Sequence, residues 1–281
     1  MSVFNDTFFA NARISCDKIL LIAYCFLHKV QLQEMATMCK VSRQTCGQWV
    51  KFLREIITWD LDIPNMEPIG GPGIIVELDE SKFGKRKYHR GHRVEGVWVF
   101  GGVERTPEHR CFAVTVENRT ATTLSALIAK YLKEGTIVHT DCWKGYRPCD
   151  FRRLRMQHRT VNHSQHFVDP DTGVHTNTIE GTWHGMKYNV PQRHKSKEYT
   201  PGHLWEFMWR RQYANQTWDR LLRHCIAKCR YDKDTMMIPK GTQITIHDVL
   251  PLNDTVRLIV HDEVVVDLAV SNDEQNILGA S

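Results

Sequence analysis

Ile74-Ile-Val-Glu-Leu-Asp79, Val94-Glu-Gly-Val-Trp-Val-Phe-Gly-Gly-Val103 and Cys111-Phe-Ala-Val-Thr-Val-Glu117 are three runs rich in β-branched and aromatic residues, parted by turn-like Gly84–Gly91 and Thr106–Arg110. Short runs of this texture between polar and Gly-containing connections read as consecutive strands of a meander. A helical stretch, Ala121–Leu132, follows them. Next come a fourth strand, Thr136–Thr140, and a fifth, Arg159–His163, then a loop through Asp171-Thr172-Gly173 and helical stretches from Asn177 and from about His203. The order βββαβ(α)βα predicts a mixed α/β fold, a sheet covered by helices.

That order is the one found in the ribonuclease H-like fold, expected here over residues 74–230. Upstream, Pro64–Gly73 reads as a Pro/Gly linker. Residues 1–63 read as all-helical, with Lys18–Val30, then Gln31–Cys39, a break at Val41-Ser42, and Arg43–Ile57 starting from Ser42 as its N-cap. In that last helix Cys46, Trp49, Val50, Leu53, Ile56 and Ile57 fall on one buried stripe, whereas Arg43, Gln44, Thr45, Gln48, Lys51 and Arg54 face outward. Two helices joined by a short turn, with polar and basic residues at the start of the second, make a helix-turn-helix pattern. Arg43, Gln44, Thr45, Gln48 and Lys51 become candidate DNA contacts. A plain helical bundle with a solvated face is the other reading. The tail, 231–281, carries short strand-like runs at Gln243–His247, Val256–Val260 and Val264–Val270, and its role is left open.

The chain has 281 residues, 37 Lys+Arg, 32 Asp+Glu and a formal charge of +5, with 42% hydrophobic and 25% charged residues. These values suit globular domains and exclude wholesale disorder. The net charge hides a contrast. Residues 1–75 are neutral, residues 76–230 hold 27 basic and 16 acidic side chains (net +11), and residues 231–281 hold 3 and 9 (net −6). Clustered Lys and Arg favour a polyanionic partner. The longest apolar run, Ile19–Leu27, has nine residues, against the roughly 20 that a membrane span needs. No membrane partner and no secretory signal are expected. Nine scattered cysteines point to reduced thiols in a cytosolic or nuclear protein. The close pairs Cys39/Cys46, Cys142/Cys149 and Cys225/Cys229 lack the spacing of a zinc ribbon and read as buried structural thiols.

Three carboxylates fall where this fold would bring distant residues together. Asp79 ends the first strand, Asp141 ends the fourth, and Glu180 lies in the first turns of a later helix. Carboxylates packed together repel unless cations neutralise them. Two divalent ions held roughly 4 Å apart do so and clamp the attacking and leaving oxygens of an in-line phosphoryl displacement. Hard oxygen ligands favour Mg²⁺ or Mn²⁺. Lys187, two helical turns after Glu180 on the same face, is a candidate contact to a DNA phosphate.

A resemblance sharpens this reading. Glu77-Leu-Asp-Glu-Ser-Lys-Phe-Gly-Lys-Arg-Lys87, Arg93-Val-Glu-Gly-Val-Trp-Val-Phe-Gly-Gly-Val-Glu-Arg105, Thr140-Asp-Cys-Trp-Lys-Gly-Tyr146, Val161-Asn-His163, Phe167-Val-Asp-Pro170 and His175-Thr-Asn-Thr-Ile-Glu-Gly-Thr-Trp183 occur in that order. Together they resemble the DDE transposases of Merlin-type elements and their bacterial ISXO-like insertion-sequence relatives, over about residues 70–215. The resemblance implies that Asp79, Asp141 and Glu180 are the DDE triad, with 38 residues between the second and third. It implies two Mg²⁺ (or Mn²⁺) ions per active site, cutting of element ends, and joining of the freed 3′-hydroxyls to target DNA. The partners expected are double-stranded DNA, as terminal inverted repeats and target, and a second copy of the chain in a homodimer or larger synaptic complex. The location would be the nucleus in a eukaryote, or the cytoplasm and nucleoid in a bacterium.

Lys82–Arg93 packs six Lys/Arg, two His and one Tyr into twelve residues. Lys82, Lys85, Arg86, Lys87, Arg90 and Arg93 are candidate phosphate contacts at a hairpin tip, with Tyr88 or His89 available to stack on a base. Lys85-Arg-Lys87 also suits a nuclear-import signal, and a solvated turn is the plain alternative. His163, His166, His175 and Asn177 cluster in one loop in a spacing that fits no standard zinc motif. His175 or Asn177 is expected to orient water or a phosphate oxygen near the metals. Two other functions fit the same residues: a domesticated, catalytically silent DNA-binding protein, and a ribonuclease H-like nuclease.

Overall fold

The computed structural model describes residues 8–9, 12–62, 65–84, 96–162, 167–191 and 194–226, with the backbone of two short strands at 256–259 and 265–268. The chain divides into two compact units, Met1–Ile56 with Thr217–Ser281, and Ile57–Gln216.

In the first unit, α1 (Cys16–Leu27), α2 (Leu32–Met38), the larger part of α3 (Arg43–Leu61) and α7 (Thr217–Ile226) form a helical cluster. α1 buries Ile19, Ile22, Ala23, Cys25, Phe26 and Leu27, and Cys46, Val50, Leu53 and Ile56 of α3 are buried as their helical spacing requires. Trp49 is only half-buried, edge-on to Phe8 at 5.3 Å and to Phe52 at 5.7 Å. The α2–α3 turn is short because Lys40 takes a left-handed φ of 49° and Val41 N–H closes back onto Ala36 O at 3.1 Å. Ser42 Oγ accepts the Thr45 N–H at 3.0 Å, the N-cap bond that starts α3. α7 packs on α1, with Trp218 edge-on to Tyr24 at 5.9 Å, so the stretch 74–230 is divided between the two units.

The second unit is built on a five-stranded sheet of order β3-β2-β1-β4-β5. Its strands are β1 (Ile75–Phe83), β2 (Val97–Glu104), β3 (Cys111–Val116), β4 (Ile137–Asp141) and β5 (Gln157–Val161). The meander β1-β2-β3 is antiparallel, whereas β1–β4 and β4–β5 pair in parallel. Helix α4 (Ala121–Tyr131) lies between β3 and β4 in the chain and supplies the crossover that a parallel return needs. Tyr131 of α4 stacks on Phe112 of β3 at 4.8 Å on one face of the sheet. The other face carries α5 (Asn177–Asn189) and α6 (Thr200–Gln212), which pack on β1, β2 and β3. This is the mixed α/β, ribonuclease H-like arrangement expected from the element order.

One strand differs in a way that matters. β1 does not stop at Asp79 but runs four residues further, paired with β2 up to Phe83↔Val97. Ser81 and Phe83 are buried while Lys82 is exposed, so the extension alternates like any half-buried strand although its composition is polar. Asp79 therefore sits mid-strand, just past the point where the parallel pairing with β4 ends at Glu77↔His139. In the tail, Val256–Ile259 and Val265–Leu268 pair antiparallel, as two of the three expected strands. The third, at 243–247, lies outside the described residues.

Candidate active site

Extending the parallel β1–β4 register by two residues sets Asp79 and Asp141 side by side on neighbouring strands. Glu180 is the fourth residue of α5. What brings it to these strands is Glu77, one pleat before Asp79 on the same face of β1 and fully buried. Its carboxylate accepts the Ile179 N–H at 2.8 Å, the Thr178 hydroxyl at 2.8 Å and Arg105 Nε at 2.6 Å. Ile179 N–H is one of the donors that a helix start leaves without an intrahelical partner, and a carboxylate there also suits the helix dipole. Glu77 thus pins the first turn of α5 to the strand. Four residues along, Trp183 Nε1 donates to Asp79 Oδ2 at 2.9 Å. Four helical residues advance about 6 Å and two strand residues about 6.6 Å, so helix and strand stay in step over both contacts. Gly101 makes room for this. It pairs with Asp79 across the sheet, and a Cβ there would come within 2.6 Å of the Trp183 ring and 2.8 Å of Phe112 O.

The charges of Asp141 and Glu180 both reach Asp79. Burial pushes the Asp79 carboxyl up to about 6, and the charges of Asp141 and Glu180 push the same way, whereas the Trp183 bond pulls it down. Asp141 is half-buried, with the Trp143 amide donating to its Oδ1 at 3.0 Å, and Glu180 is exposed. Among the described residues no three His, Cys, Asp or Glu side chains stand within ligating distance of a common metal position. The donor chemistry nevertheless fits a hard divalent cation: three carboxylates, of which Asp79 is made harder to ionise by burial and by the charges of the other two. Lys187 also belongs here. Its ammonium stands 5.6 Å from the Phe83 ring, burial lowers its pKa, and the Asp79 charge opposes that shift.

On the opposite sheet face, Glu80 accepts a short hydrogen bond from Tyr146 Oη, and burial raises its carboxyl to about 7. Below the carboxylates, His139 of β4 is buried beside Glu77. Neither of its ring nitrogens makes a hydrogen bond of good geometry, although the His175 backbone lies close enough to favour the proton weakly. Burial and Arg105 hold its pKa down at about 4.

His175 and Asn177 divide. His175 Nδ1 lies 3.3 Å from Glu77 Oε1 and 3.4 Å from the Asn177 amide, and its carbonyl accepts Arg105 Nη2 at 2.6 Å. It joins the Glu77 support rather than the carboxylate triad, since the loop turns its ring inward before α5 begins. Asn177 is exposed at the first position of α5. In the first unit Arg43, Gln44, Gln48 and Lys51 are exposed and Thr45 is half-buried. Lys82 is exposed on the β1 extension. Lys85, Arg86, Lys87, Tyr88, His89, Arg90, Arg93, His163, His166 and Cys229 lie outside the described residues. Cys39, Cys46, Cys149 and Cys225 are buried thiols as expected, but Cys142 is exposed, because it follows Asp141 where the chain leaves the sheet. A cavity of about 560 Å³ between Met66–Ile69, the β2–β3 turn and the end of α6 is lined by none of the three carboxylates.

Sequence reasoning passed over Glu77, Arg105, Trp183, Glu80 and Tyr146. The available signal was the two-residue offset of Glu77 from Asp79, which puts both on one strand face.

A five-stranded mixed sheet with helices on both faces and coupled carboxylates at β1, β4 and α5 defines a ribonuclease H-like domain. The model of the ISXO2-like transposase domain family matches residues 68–212, and the chain belongs to that family. The catalytic core of BIV integrase is a similar solved structure, with 11% identity and a TM-score of 0.35 over 50% of this chain and 84% of that one. No curated protein matches. No helix among the described residues is long and apolar enough to cross a membrane.

Proposed function

We propose that the protein is a DDE-type transposase, of the branch that includes Merlin elements, that cuts transposon ends and joins them to target DNA. Asp79, Asp141 and Glu180 would hold two Mg²⁺ or Mn²⁺ ions. The observation that carries the reading is the electrostatic coupling of these three carboxylates inside the stretch matched by the transposase family. When bound, the cations supply charge neutralisation at the attacking and leaving oxygens of the scissile phosphate. The chain's own residues do the rest. Glu77 and Arg105 hold the first turn of α5 against β1, which keeps Glu180 on the side of the strand carboxylates. Trp183 keeps Asp79 oriented and favours its ionised form. Lys187 offers a cation to the phosphate backbone. Arg43, Gln44, Thr45, Gln48 and Lys51 would read the terminal repeat from α3, with Ser42 fixing the start of that helix. His175 acts from the loop before α5 through Glu77, and Asn177, exposed at the first position of α5, is left to orient water or a phosphate oxygen.

Pairing two element ends calls for a homodimer or larger assembly, working in a nucleus or on a bacterial nucleoid. The test is a cleavage and strand-transfer assay on labelled duplexes taken from the ends of the element that encodes the protein. Mg²⁺-dependent nicking followed by joined product is expected, with Glu180→Gln and Asp79→Asn inactive in both steps while still binding DNA. Nicking without joined product would instead favour a ribonuclease H-like nuclease. A Glu180→Gln protein cutting at the wild-type rate would refute the triad.

A further inference from the structure

Alternation along β1 turns Glu80 and Lys82 to the sheet face opposite Glu77 and Asp79. Lys82 pairs across the sheet with Trp98. The Trp98 ring carries two cations: the Arg119 guanidinium carbon lies 3.6 Å from its centroid and Lys82 Nζ lies 5.4 Å from it. Arg119 also lies 4.7 Å from the Trp143 ring, so its plane is held by two indoles, one from β2 and one from the segment after β4. Trp143 is in turn tied to the active site, since its amide donates to Asp141 Oδ1.

The charges in this notch do not balance. Its acidic partner is Glu80, whose Oε2 is 3.8 Å from Arg119, beyond hydrogen-bond range, and whose other oxygen is occupied by Tyr146. Among the described residues no hydrogen bond is made by the Arg119 guanidinium, although its side chain is 31% exposed. A guanidinium presents N–H donors in a rigid planar fork that matches a phosphate, and stacking on aromatic rings leaves that edge open. Holding the fork between two indoles removes much of the rotamer entropy that binding would otherwise cost.

We propose that Arg119, with Lys82, forms a phosphodiester-binding site on the Asp141 side of the active centre, which grips the DNA backbone next to the scissile bond. The site rests on the transposase reading; to Lys82, already expected to meet phosphate, it adds Arg119 held between Trp98 and Trp143.

The experiment is fluorescence anisotropy of the full-length protein on an element-end duplex and on an unrelated duplex. It is done without divalent ions, so that no cutting occurs, at several salt concentrations. Arg119→Gln is expected to weaken both duplexes alike, by about tenfold, and to lower the slope of log K against log salt by about one. Arg119→Lys keeps the slope but binds more weakly than wild type, because charge survives without the fork. Lys82→Gln, at an exposed position that cannot upset the core, is expected to lose about one unit of slope as well. Unchanged slopes in both Arg119→Gln and Lys82→Gln would overturn the site, leaving Arg119 as a brace for Trp143. Metal-dependent cleavage by the wild-type protein is read separately: if that is present while the slopes stay unchanged, only the site fails. If it is absent, the transposase reading fails instead.

Discussion

Replacing Glu77 by Gln changes almost no volume and tests what holds the active site together. The side chain is fully buried and accepts from Ile179 N–H, Thr178 Oγ1 and Arg105 Nε, all within 2.8 Å. Glutamine offers a single carbonyl oxygen, and its amide nitrogen would face at least one of these donors as another donor. Each hydrogen bond to a charged acceptor contributes about 1.5–3 kcal/mol, and stripping the partner from a buried ion pair costs about 3–5 kcal/mol. These terms share atoms and do not add, so about 3–5 kcal/mol is the expected loss. Urea denaturation should report it as a lower midpoint with an unchanged m-value, and thermal melting as a drop on the order of 10 °C. Because the lost bonds fix the first turn of α5, cleavage should fall together with stability even under conditions where the variant is folded. A Glu77→Gln protein within 1 kcal/mol of wild type, or one destabilised yet cutting normally, would refute the reasoning.

Other consequences can be measured on the same protein. Asp79 has its carboxyl raised from 3.8 to about 6, so the folded state binds this proton more tightly than the unfolded chain. Stability from this group is therefore lost as pH climbs from about 4 to about 6, by on the order of 3 kcal/mol. Mg²⁺ should raise the melting temperature clearly at pH 7.5 and scarcely at pH 5, and a pH-independent rise would contradict the carboxylate assignment. Trp183→Phe deletes the donor on Asp79 Oδ2, which should move the acid limb of the pH–rate profile to higher pH; an unmoved limb argues against that role. Gly101→Ala puts a methyl into the Trp183 ring and Phe112 O, which should cost about 1–3 kcal/mol in denaturation and reduce cleavage. Ser42→Ala removes the N-cap of α3 and should cost about 1 kcal/mol, with a matching loss of DNA affinity if α3 is the reading helix.

The sheet was legible because β2, β3 and β4 are dense in Val, Ile and Phe between polar connections, which fixed their order and, to within a few residues, their ends. The same texture failed for the second half of β1. Glu80-Ser81-Lys82 lacks the apolar texture on which the strand was read to end at Asp79, yet pairing with β2 and burial of Ser81 and Phe83 keep it in the sheet. Asp79, Asp141 and Glu180 could be singled out because strand and helix positions are local properties. For Glu77 the sequence offered only its two-residue offset from Asp79, since its partners Arg105, Thr178 and Ile179 are 28 to 102 positions away in the chain and only the fold brings them together. Trp98, Arg119 and Trp143 escaped for the same reason. The grouping of α7 with α1 likewise depends on long-range packing, which a charge count along the chain does not register.

The clasp between Glu77 and the start of α5 also bears on how this chain tolerates change. Glu180 is located by a bond three positions into its own helix, not by the path the backbone takes from β5. The connection from Asn162 to Val174 can then grow or shrink without moving the third carboxylate, because loop length is thermodynamically cheap once the ends are fixed. A single residue inserted between Ile179 and Glu180 would instead swing the carboxylate by roughly 100° around the helix axis. Length drift among kindred chains should therefore accumulate before His175 and stop abruptly after it.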